Sequence, residues 1–115
     1  MSSGKRIEAR FFRTRAGDEP VREWLLSLAR EDRRNIGVDI KTVEFGWPLG
    51  MPTCRSLGSG LWEVRSDISD GRIARVLFCI AEGRTYLLVG FIKKTQKTPT
   101  DEIDKARRRM KELGR

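Results

Sequence analysis

Residues 58–80 read GSGLWEVRSDISDGRIARVLFCI and contain two strand-length segments separated by the pair Asp70-Gly71. An aspartate-glycine pair favours a type I′ turn, because both central positions of that turn need a positive φ. The pattern therefore predicts an antiparallel hairpin whose strands are Leu61–Ile68 and Arg72–Ile80.

Alternation of side chains sorts this hairpin into two faces. The second strand has an apolar face made of Ala74, Val76, Phe78 and Ile80, which leaves Arg75 on the opposite, open face. In the first strand, Arg65 lies on the polar side together with Glu63. If the strands pair through the predicted turn, Arg65 and Arg75 are expected to be close neighbours on the open face.

Three further segments are predicted to extend this sheet. Residues 6–13 form a first strand, the glycine- and proline-rich residues 46–60 form a loop with at most a short strand around Thr53–Leu57, and Arg84–Lys94 forms the last strand. That strand ends in two lysines. Because neighbouring residues of a strand point to opposite sides, only one of Lys93 and Lys94 can share the open face while both keep strand geometry.

Helical spacing of apolar residues appears in the remaining segments. A first helix is predicted with Asp18 as its N-cap, and a second helix ends at Gly46, so that the two form a helical hairpin. A last helix is predicted with Thr98 as its N-cap and Pro99 at its first position. The resulting order, β-α-α-β-β-β-β-α, indicates a single α+β domain over residues 1–115, with a twisted antiparallel sheet and helices packed against one face.

The charge of the chain points to a polyanionic partner. Lysine and arginine number 24 against 16 aspartates and glutamates, which gives a net charge of +8 with no histidine. Residues 93–115 alone hold nine basic and four acidic residues. This excess of basic residues near the end of the sequence indicates a binding role in addition to solubility.

Composition also argues against several classes of site and location. Cys54 and Cys79 are too few and too far apart for a zinc site, which needs about four ligands at short spacing, and buried thiols are the favoured reading. We expect no metal and no other cofactor. Residues 1–10 lack the apolar segment of a secretory signal, and the longest apolar run, residues 86–92, is too short to cross a membrane. A cytoplasmic protein without a membrane partner is expected.

A group made of Arg65, Arg75 and one lysine on a single sheet face suits a phosphate. Guanidinium groups bind non-bridging oxygens in pairs, and an ammonium neutralises growing negative charge. The alternative is that each arginine is a surface residue paired with one of the nearby carboxylates, Glu63, Asp67 or Asp70. Spacing alone does not decide between these two interpretations.

Residues 58–80, together with LLVGFIKKTQKTPTDEIDKA at 87–106, resemble the phage-derived HigB-like branch of the RelE/ParE toxin superfamily. The resemblance covers nearly the whole chain and is strongest between Gly50 and Ala106. The matching positions are Gly60, Leu61, Trp62, Glu63 and Arg65, then Arg75, Val76, Leu77 and Phe78, then Phe91, Lys93, Lys94, Lys97, Thr98 and Pro99.

This resemblance implies a RelE-like fold and a toxin of a type II toxin-antitoxin system that cleaves messenger RNA on the ribosome. The strand's own 2′-hydroxyl would attack without a metal and leave a 2′,3′-cyclic phosphate. The implied partners are the ribosome, messenger RNA and an antitoxin, expected to be of the helix-turn-helix type and to form a hetero-oligomeric complex with the toxin.

The resemblance also suggests roles for individual residues. Arg75 would hold the scissile phosphate, Arg65 the phosphate or its developing charge, and Lys93 or Lys94 would stabilise the transition state or transfer a proton. The general base stays open between Glu63 and a lysine whose pKa is lowered by its neighbours. The candidate RNA-binding residues around this group are Arg55, Arg72, Gln96 and Lys97.

The sequence differs from some RelE-type enzymes in two respects, so other functions remain possible interpretations. Some RelE-type enzymes use a histidine or tyrosine in the site, whereas this chain has no histidine and its one tyrosine, Tyr86, is expected to pack in the core. The alternatives are a ParE-like inhibitor of DNA gyrase without nuclease activity, and a non-catalytic module that binds nucleic acid or the ribosome. Trp24, Trp47 and Trp62 could stack on bases in such a module, although core packing is the favoured role for each.

Overall fold

The computed structural model describes residues 7–47, 54–93 and 97–113, with Lys93 described by its backbone alone. Its elements follow the predicted order and confirm the α+β class. They are β1 (Glu8–Phe11), α1 (Pro20–Leu26), α2 (Arg30–Gly46), β2 (Cys54–Gly58), β3 (Leu61–Asp67), β4 (Ile73–Ala81), β5 (Arg84–Lys93) and α3 (Thr100–Leu113).

The five strands form one sheet in the order β1-β5-β4-β3-β2. Strands β2 to β5 make an antiparallel meander, as predicted, but β1 pairs with β5 in parallel. The expectation of a wholly antiparallel sheet is therefore wrong at one edge. The reason is the connection: the chain from β1 crosses the sheet through α1 and α2 before β2 begins, and such a crossover permits parallel pairing.

Both tight turns of the meander have the geometry that their sequences favour. Asp70 and Gly71 have φ values of 61° and 68°, and the Arg72 N–H donates to the Ser69 carbonyl at 3.3 Å. The Asp70-Gly71 turn is thus confirmed as the link between β3 and β4. Residues 82 and 83 also have positive φ, at 53° and 73°, and link β4 to β5.

Helices cover both faces of the sheet, which corrects the expectation that they pack on one. The α1 and α2 helices lie on the face of Ala74, Val76 and Phe78, whereas α3 lies on the opposite face against Leu61 and Leu77. The cause is the apolar stripe of α3, which cannot remain in water and matches an apolar part of the supposed open face. Its members are Ile103, Ala106, Met110 and Leu113.

The aromatic residues and cysteines serve the core. All three tryptophans pack against the core on the side of α1 and α2, and Trp47 meets Trp62 edge to face at 4.9 Å. Both cysteines are free and buried, and burial raises the pKa of Cys54 and of Cys79 to about 11. Core packing is thereby confirmed for the tryptophans and for the thiols. None of the helices in the described ranges is long and apolar enough to cross a membrane.

Helix α1 begins differently from the prediction. Proline occupies the first turn, as expected, but the residue before it is Glu19, and no side chain caps the helix. Asp18 belongs instead to the preceding loop, where its N–H donates to the Thr14 hydroxyl at 3.1 Å. The predicted N-cap role of Asp18 is therefore wrong, because a local turn uses its backbone.

Gly90 of β5 allows α1 to approach the sheet. A Cβ at this position would lie 2.2 Å from the ring of Trp24, so Gly90→Ala is expected to destabilise the fold by about 1–3 kcal/mol through overpacking. Gly37 of α2 is the matched control, because a Cβ there meets nothing within 4 Å. Gly37→Ala is expected to stabilise by roughly 0.5–1 kcal/mol. Urea unfolding checks both, and equal midpoints for the two variants would contradict the packing argument.

Candidate functional site

Strand register brings the arginines of the meander together on the face that α3 partly covers. Arg65 of β3 pairs directly with Arg75 of β4, and Arg55 of β2 pairs directly with Glu63. Like charges opposite each other on a sheet are normally unfavourable. The pairing of Arg65 with Arg75 therefore needs compensation from neighbouring groups or from a bound anion.

The compensation that the protein itself supplies is centred on Glu63. Its side chain is 0% exposed, its Oε2 accepts a hydrogen bond from the Thr98 hydroxyl, and its Oε1 lies 3.5 Å from Arg55 Nη2. The Thr98 oxygen also accepts from Arg55 Nη2 at 3.3 Å and from Arg75 Nη1 at 3.4 Å. These four residues and Arg65, which lies opposite Arg75, are called the arginine cluster; its members are Arg55, Glu63, Arg65, Arg75 and Thr98.

Thr98 was assigned by sequence to the N-cap of the last helix, and that assignment is wrong. The helix begins at Thr100, and the Pro99 carbonyl accepts the first helical bond, from the Ile103 N–H at 3.2 Å. Proline therefore precedes the helix instead of occupying its first position. The Thr98 hydroxyl is committed to the arginine cluster and ties the start of α3 to the sheet.

The charges of the arginine cluster do not balance. Three guanidinium groups share one carboxylate, and Arg75 is only 1% exposed. Burial lowers the pKa of Arg75 most; Glu63 opposes this effect, while Arg65 and Arg55 add to it. Burying a cation without a full partner is costly, so the cluster favours a negatively charged ligand.

Unused hydrogen-bond donors point the same way. Within the described residues, the buried Nε groups of Arg55 and Arg75 have no hydrogen-bond partner. Arg65 is half-buried, and its side chain forms no hydrogen bond or ion pair in the described part of the chain. A phosphate beside the half-buried Arg65 would offer oxygens to its guanidinium in the paired geometry that such groups favour, and would also balance the buried charge of Arg75.

Glu63 is not placed to act as a general base. A base must come within hydrogen-bond reach of the proton it removes, whereas this carboxylate is fully buried and already engaged by Thr98 and Arg55. The geometry makes Glu63 an anchor for the arginines. Burial thus argues against proton transfer by Glu63, and the identity of the base stays a prediction.

The other predicted site residues are described less completely. Lys93 ends β5, with its backbone at the register position opposite Ile73. Lys94 and Gln96 lie outside the described residues, and Lys97 is exposed next to Thr98. The roles of these four residues remain predictions.

Arg72 does not join the arginine cluster. Its Nη2 lies 2.9 Å from Asp32 Oδ2 and also donates to the Ser69 hydroxyl, and its Nε donates to the Ser69 carbonyl at 3.1 Å. These bonds fasten the β3–β4 turn to the start of α2. The structure therefore gives Arg72 a structural role, and its RNA contact stays a prediction.

Asp32 makes this fastening dependent on pH. Its pKa is lowered from the ordinary 3.8, first by the Ser69 backbone N–H and further by the Ser69 hydroxyl and Arg72, against an opposing effect of burial. The stability it adds is present above its unfolded pKa and is lost as the pH falls through the lower, folded value. Asp32→Asn is expected to lower the free energy of unfolding at neutral pH. It is also expected to flatten the acid limb of the stability profile, which is the fall in that free energy as the pH decreases.

Urea unfolding between about pH 2 and pH 6 measures this effect. Asp104→Asn, at an exposed position of α3, removes the same charge and is expected to leave the acid limb as in the original chain. An unchanged acid limb in Asp32→Asn would contradict the assignment.

Among the residues that the structure describes, neither a tyrosine nor a group of metal ligands belongs to the arginine cluster. Tyr86 packs against the core on the side of α3, as expected. Over residues 7–47, 54–93 and 97–113, no group of three or more histidine, cysteine, aspartate or glutamate residues is positioned to hold a metal ion. The chemistry that the described residues offer is the binding of an anion and the stabilisation of negative charge by fixed cations.

Comparison with known proteins agrees with this fold. No individual curated protein matches the sequence. The model of one protein family, described as phage-derived protein Gp49-like (DUF891), matches residues 23–111. That range includes the meander, the arginine cluster and most of α3. The chain therefore belongs to the phage-derived Gp49-like family, which is part of the RelE/ParE-like toxin superfamily and is related to the toxins of toxin-antitoxin systems.

Proposed function

We propose that this protein is a ribonuclease toxin of the HigB type that cleaves messenger RNA on the ribosome. The observation that carries the proposal is the half-buried Arg65, which lacks a counter-charge in the described chain and lies directly opposite the buried Arg75. Two adjacent guanidinium groups, one of which has no carboxylate partner in the described chain, are suited to a phosphodiester. Membership of a toxin-related family supports the same choice.

In the proposed reaction, the 2′-hydroxyl of one nucleotide attacks the adjacent phosphorus. A new bond forms between that oxygen and phosphorus, and the bond to the 5′-oxygen of the next nucleotide breaks. The products are a 2′,3′-cyclic phosphate and a 5′-hydroxyl end. A base removes the proton of the attacking hydroxyl, and an acid returns a proton to the leaving oxygen.

The arginines act on charge and orientation in this reaction. Arg65, which is half-buried, contacts the scissile phosphate and neutralises the charge that grows on the non-bridging oxygens, while Arg75, which is 1% exposed and held by Thr98, adds positive charge behind it. Either Lys93 or Lys94 is the proposed residue for transition-state stabilisation or proton transfer, since Glu63 is buried away from substrate. No metal takes part in the proposed steps.

The proposed partners follow from the same surface. An antitoxin of the helix-turn-helix type would silence the toxin by covering the arginine cluster, and the two chains would form a hetero-oligomer. The ribosome would present the messenger in a fixed geometry, so that the protein needs no deep substrate pocket of its own. The proposed location is the cytoplasm.

Mapping of transcript 5′ ends after induced expression tests the proposal. We expect new 5′-hydroxyl ends within translated codons in cells that express the original protein, and none in cells that express Arg65→Gln. Intact transcripts accompanied by DNA damage would instead indicate a gyrase inhibitor. Ribosome binding without new ends would indicate a non-catalytic module.

A further inference from the structure

Apart from Lys105, which pairs with Glu102, the basic residues of α3 form two groups with different contacts. Arg107 Nη2 donates to the carbonyls of Leu57 and Gly58 at 3.2 and 3.3 Å. Arg109 Nη1 donates to the Leu88 carbonyl at 2.6 Å, and its guanidinium lies 5.7 Å from the ring centre of Phe12. These two arginines fasten the helix to the sheet.

The second group faces away from the sheet. Arg108 and Lys111, three positions apart, line a surface cleft of about 390 Å³ together with Arg15 of the β1–α1 loop and Glu112. In the described part of the chain, the side chains of Arg15, Arg108 and Lys111 form no ion pair or hydrogen bond, and all three residues are exposed. We call Arg15, Arg108 and Lys111 the helix cations.

The helix cations converge at an energetic cost. Like charges three positions apart on a helix repel each other, and the fold adds a third cation from a segment distant in sequence. Glu112 is the one carboxylate in the lining, so the cleft keeps a net charge of +2. An extended anion that contacts several cations at once would relieve this repulsion.

We propose that the helix cations bind the phosphodiester backbone of RNA at a second contact, separate from the arginine cluster. The choice of RNA as the anion rests on the proposed function. Arg108 lies eight residues beyond Thr100, about 12 Å along the helix axis from the end that Thr98 fastens to the cluster. An RNA strand bound at Arg65, directly opposite Arg75, therefore has the second contact within the reach of a few nucleotides.

The test is the salt dependence of RNA binding. A fluorescent single-stranded RNA with 2′-O-methyl groups at every position cannot be cleaved and serves as the probe. The triple variant Arg15→Gln/Arg108→Gln/Lys111→Gln removes three charges from the cleft. The matched control, Arg30→Gln/Arg34→Gln/Lys41→Gln, removes three charges from exposed positions of α2.

Each phosphate contact with a single strand contributes about 0.7 to the slope of log K against log salt. We expect the slope of the cleft variant to become shallower by about 2 and that of the control to stay as in the original chain. An unchanged slope in the cleft variant, or an equal change in both variants, would overturn the proposal, since the latter would report net charge alone. Loss of binding to poly-glutamate with an unchanged slope for RNA would also overturn it, in favour of an acidic protein partner.

This outcome is separable from the fate of the proposed function. If the protein cuts no transcript but the cleft variant shows the shallower slope, the RNA contact stands and the nuclease proposal fails. If cutting is observed and the slope does not change, the nuclease proposal stands and the second contact fails.

Discussion

Arg65→Gln is expected to lower the rate of RNA cleavage by about 100-fold or more, which is the usual cost of removing one preorganised group that stabilises transition-state charge. The free energy of unfolding is expected to stay the same or to rise slightly. The reason is that Arg65 has no ion-pair partner in the described chain and lies directly opposite another arginine. Removing it relieves repulsion and leaves no buried group without a partner.

Because Arg65→Gln is expected to change the cleavage rate without lowering stability, Arg65 tests the catalytic role of the cluster better than Arg75 does. Arg75 is almost completely buried and donates to Thr98, so its replacement disturbs packing and leaves Glu63 short of a counter-charge. A loss of activity in an Arg75 variant would not distinguish damage to the site from damage to the fold. Arg65→Gln avoids that ambiguity.

The measurements for Arg65→Gln are single-turnover cleavage of ribosome-bound messenger and urea unfolding. Arg84→Gln is the matched control, since it removes the same charge from an exposed position at the opposite end of the meander. We expect Arg84→Gln to keep the original rate. Full cleavage activity in Arg65→Gln would exclude Arg65 from the reaction.

The sequence predicted that Arg65 and Arg75 are close on one face, but the turn alone does not give this register. A two-residue turn at Asp70-Gly71 would set Arg65 opposite Val76, whereas the Ile68 N–H donates to the Arg72 carbonyl and Ser69 is an extra residue that shifts the register by one. Alternation correctly placed Arg75 on the face opposite Ala74, Val76 and Phe78, but it did not reveal that α3 packs on the Arg75 face too.

The rest of the site depends on contacts between distant segments. Nothing local to Thr98 distinguishes a helix-capping hydroxyl from one that enters a buried network. The sequence around Thr98 matches the pattern of a helix N-cap, although the structure does not use it as one. Likewise, the sequence does not show that Arg72 pairs with Asp32, because Asp32 comes from α2, which is distant in the sequence. In both cases the partner comes from another element, at a sequence separation of 35 or 40 residues.

The position of α3 is the most consequential difference from the prediction. Because α3 covers the face of Arg75, the arginines there are partly excluded from water instead of fully solvated. Charges interact more strongly where water is excluded, so a bound phosphate gains more from each arginine there than on an exposed sheet. The cost is that the unliganded cluster must be stabilised from within, and Glu63 is the one carboxylate that the described cluster provides.

Glu63→Gln is accordingly expected to destabilise the protein by about 3–5 kcal/mol, because it leaves Arg75 buried without its counter-charge. The amide keeps the size of the side chain and its hydrogen bond with Thr98, so the loss reports charge and not packing. Urea unfolding at neutral pH gives the measurement.

The double variant Glu63→Leu/Arg75→Met decides whether this loss has an electrostatic origin. Replacing both members of a buried charge pair by apolar side chains of similar size is often neutral or stabilising, whereas removing one member is costly. We therefore expect the double variant to be more stable than Glu63→Gln, although it carries more substitutions and has no cleavage activity. If the double variant is instead less stable than Glu63→Gln, the carboxylate holds the sheet and α3 together by its hydrogen bonds, and the excess charge of the cluster is tolerated without it.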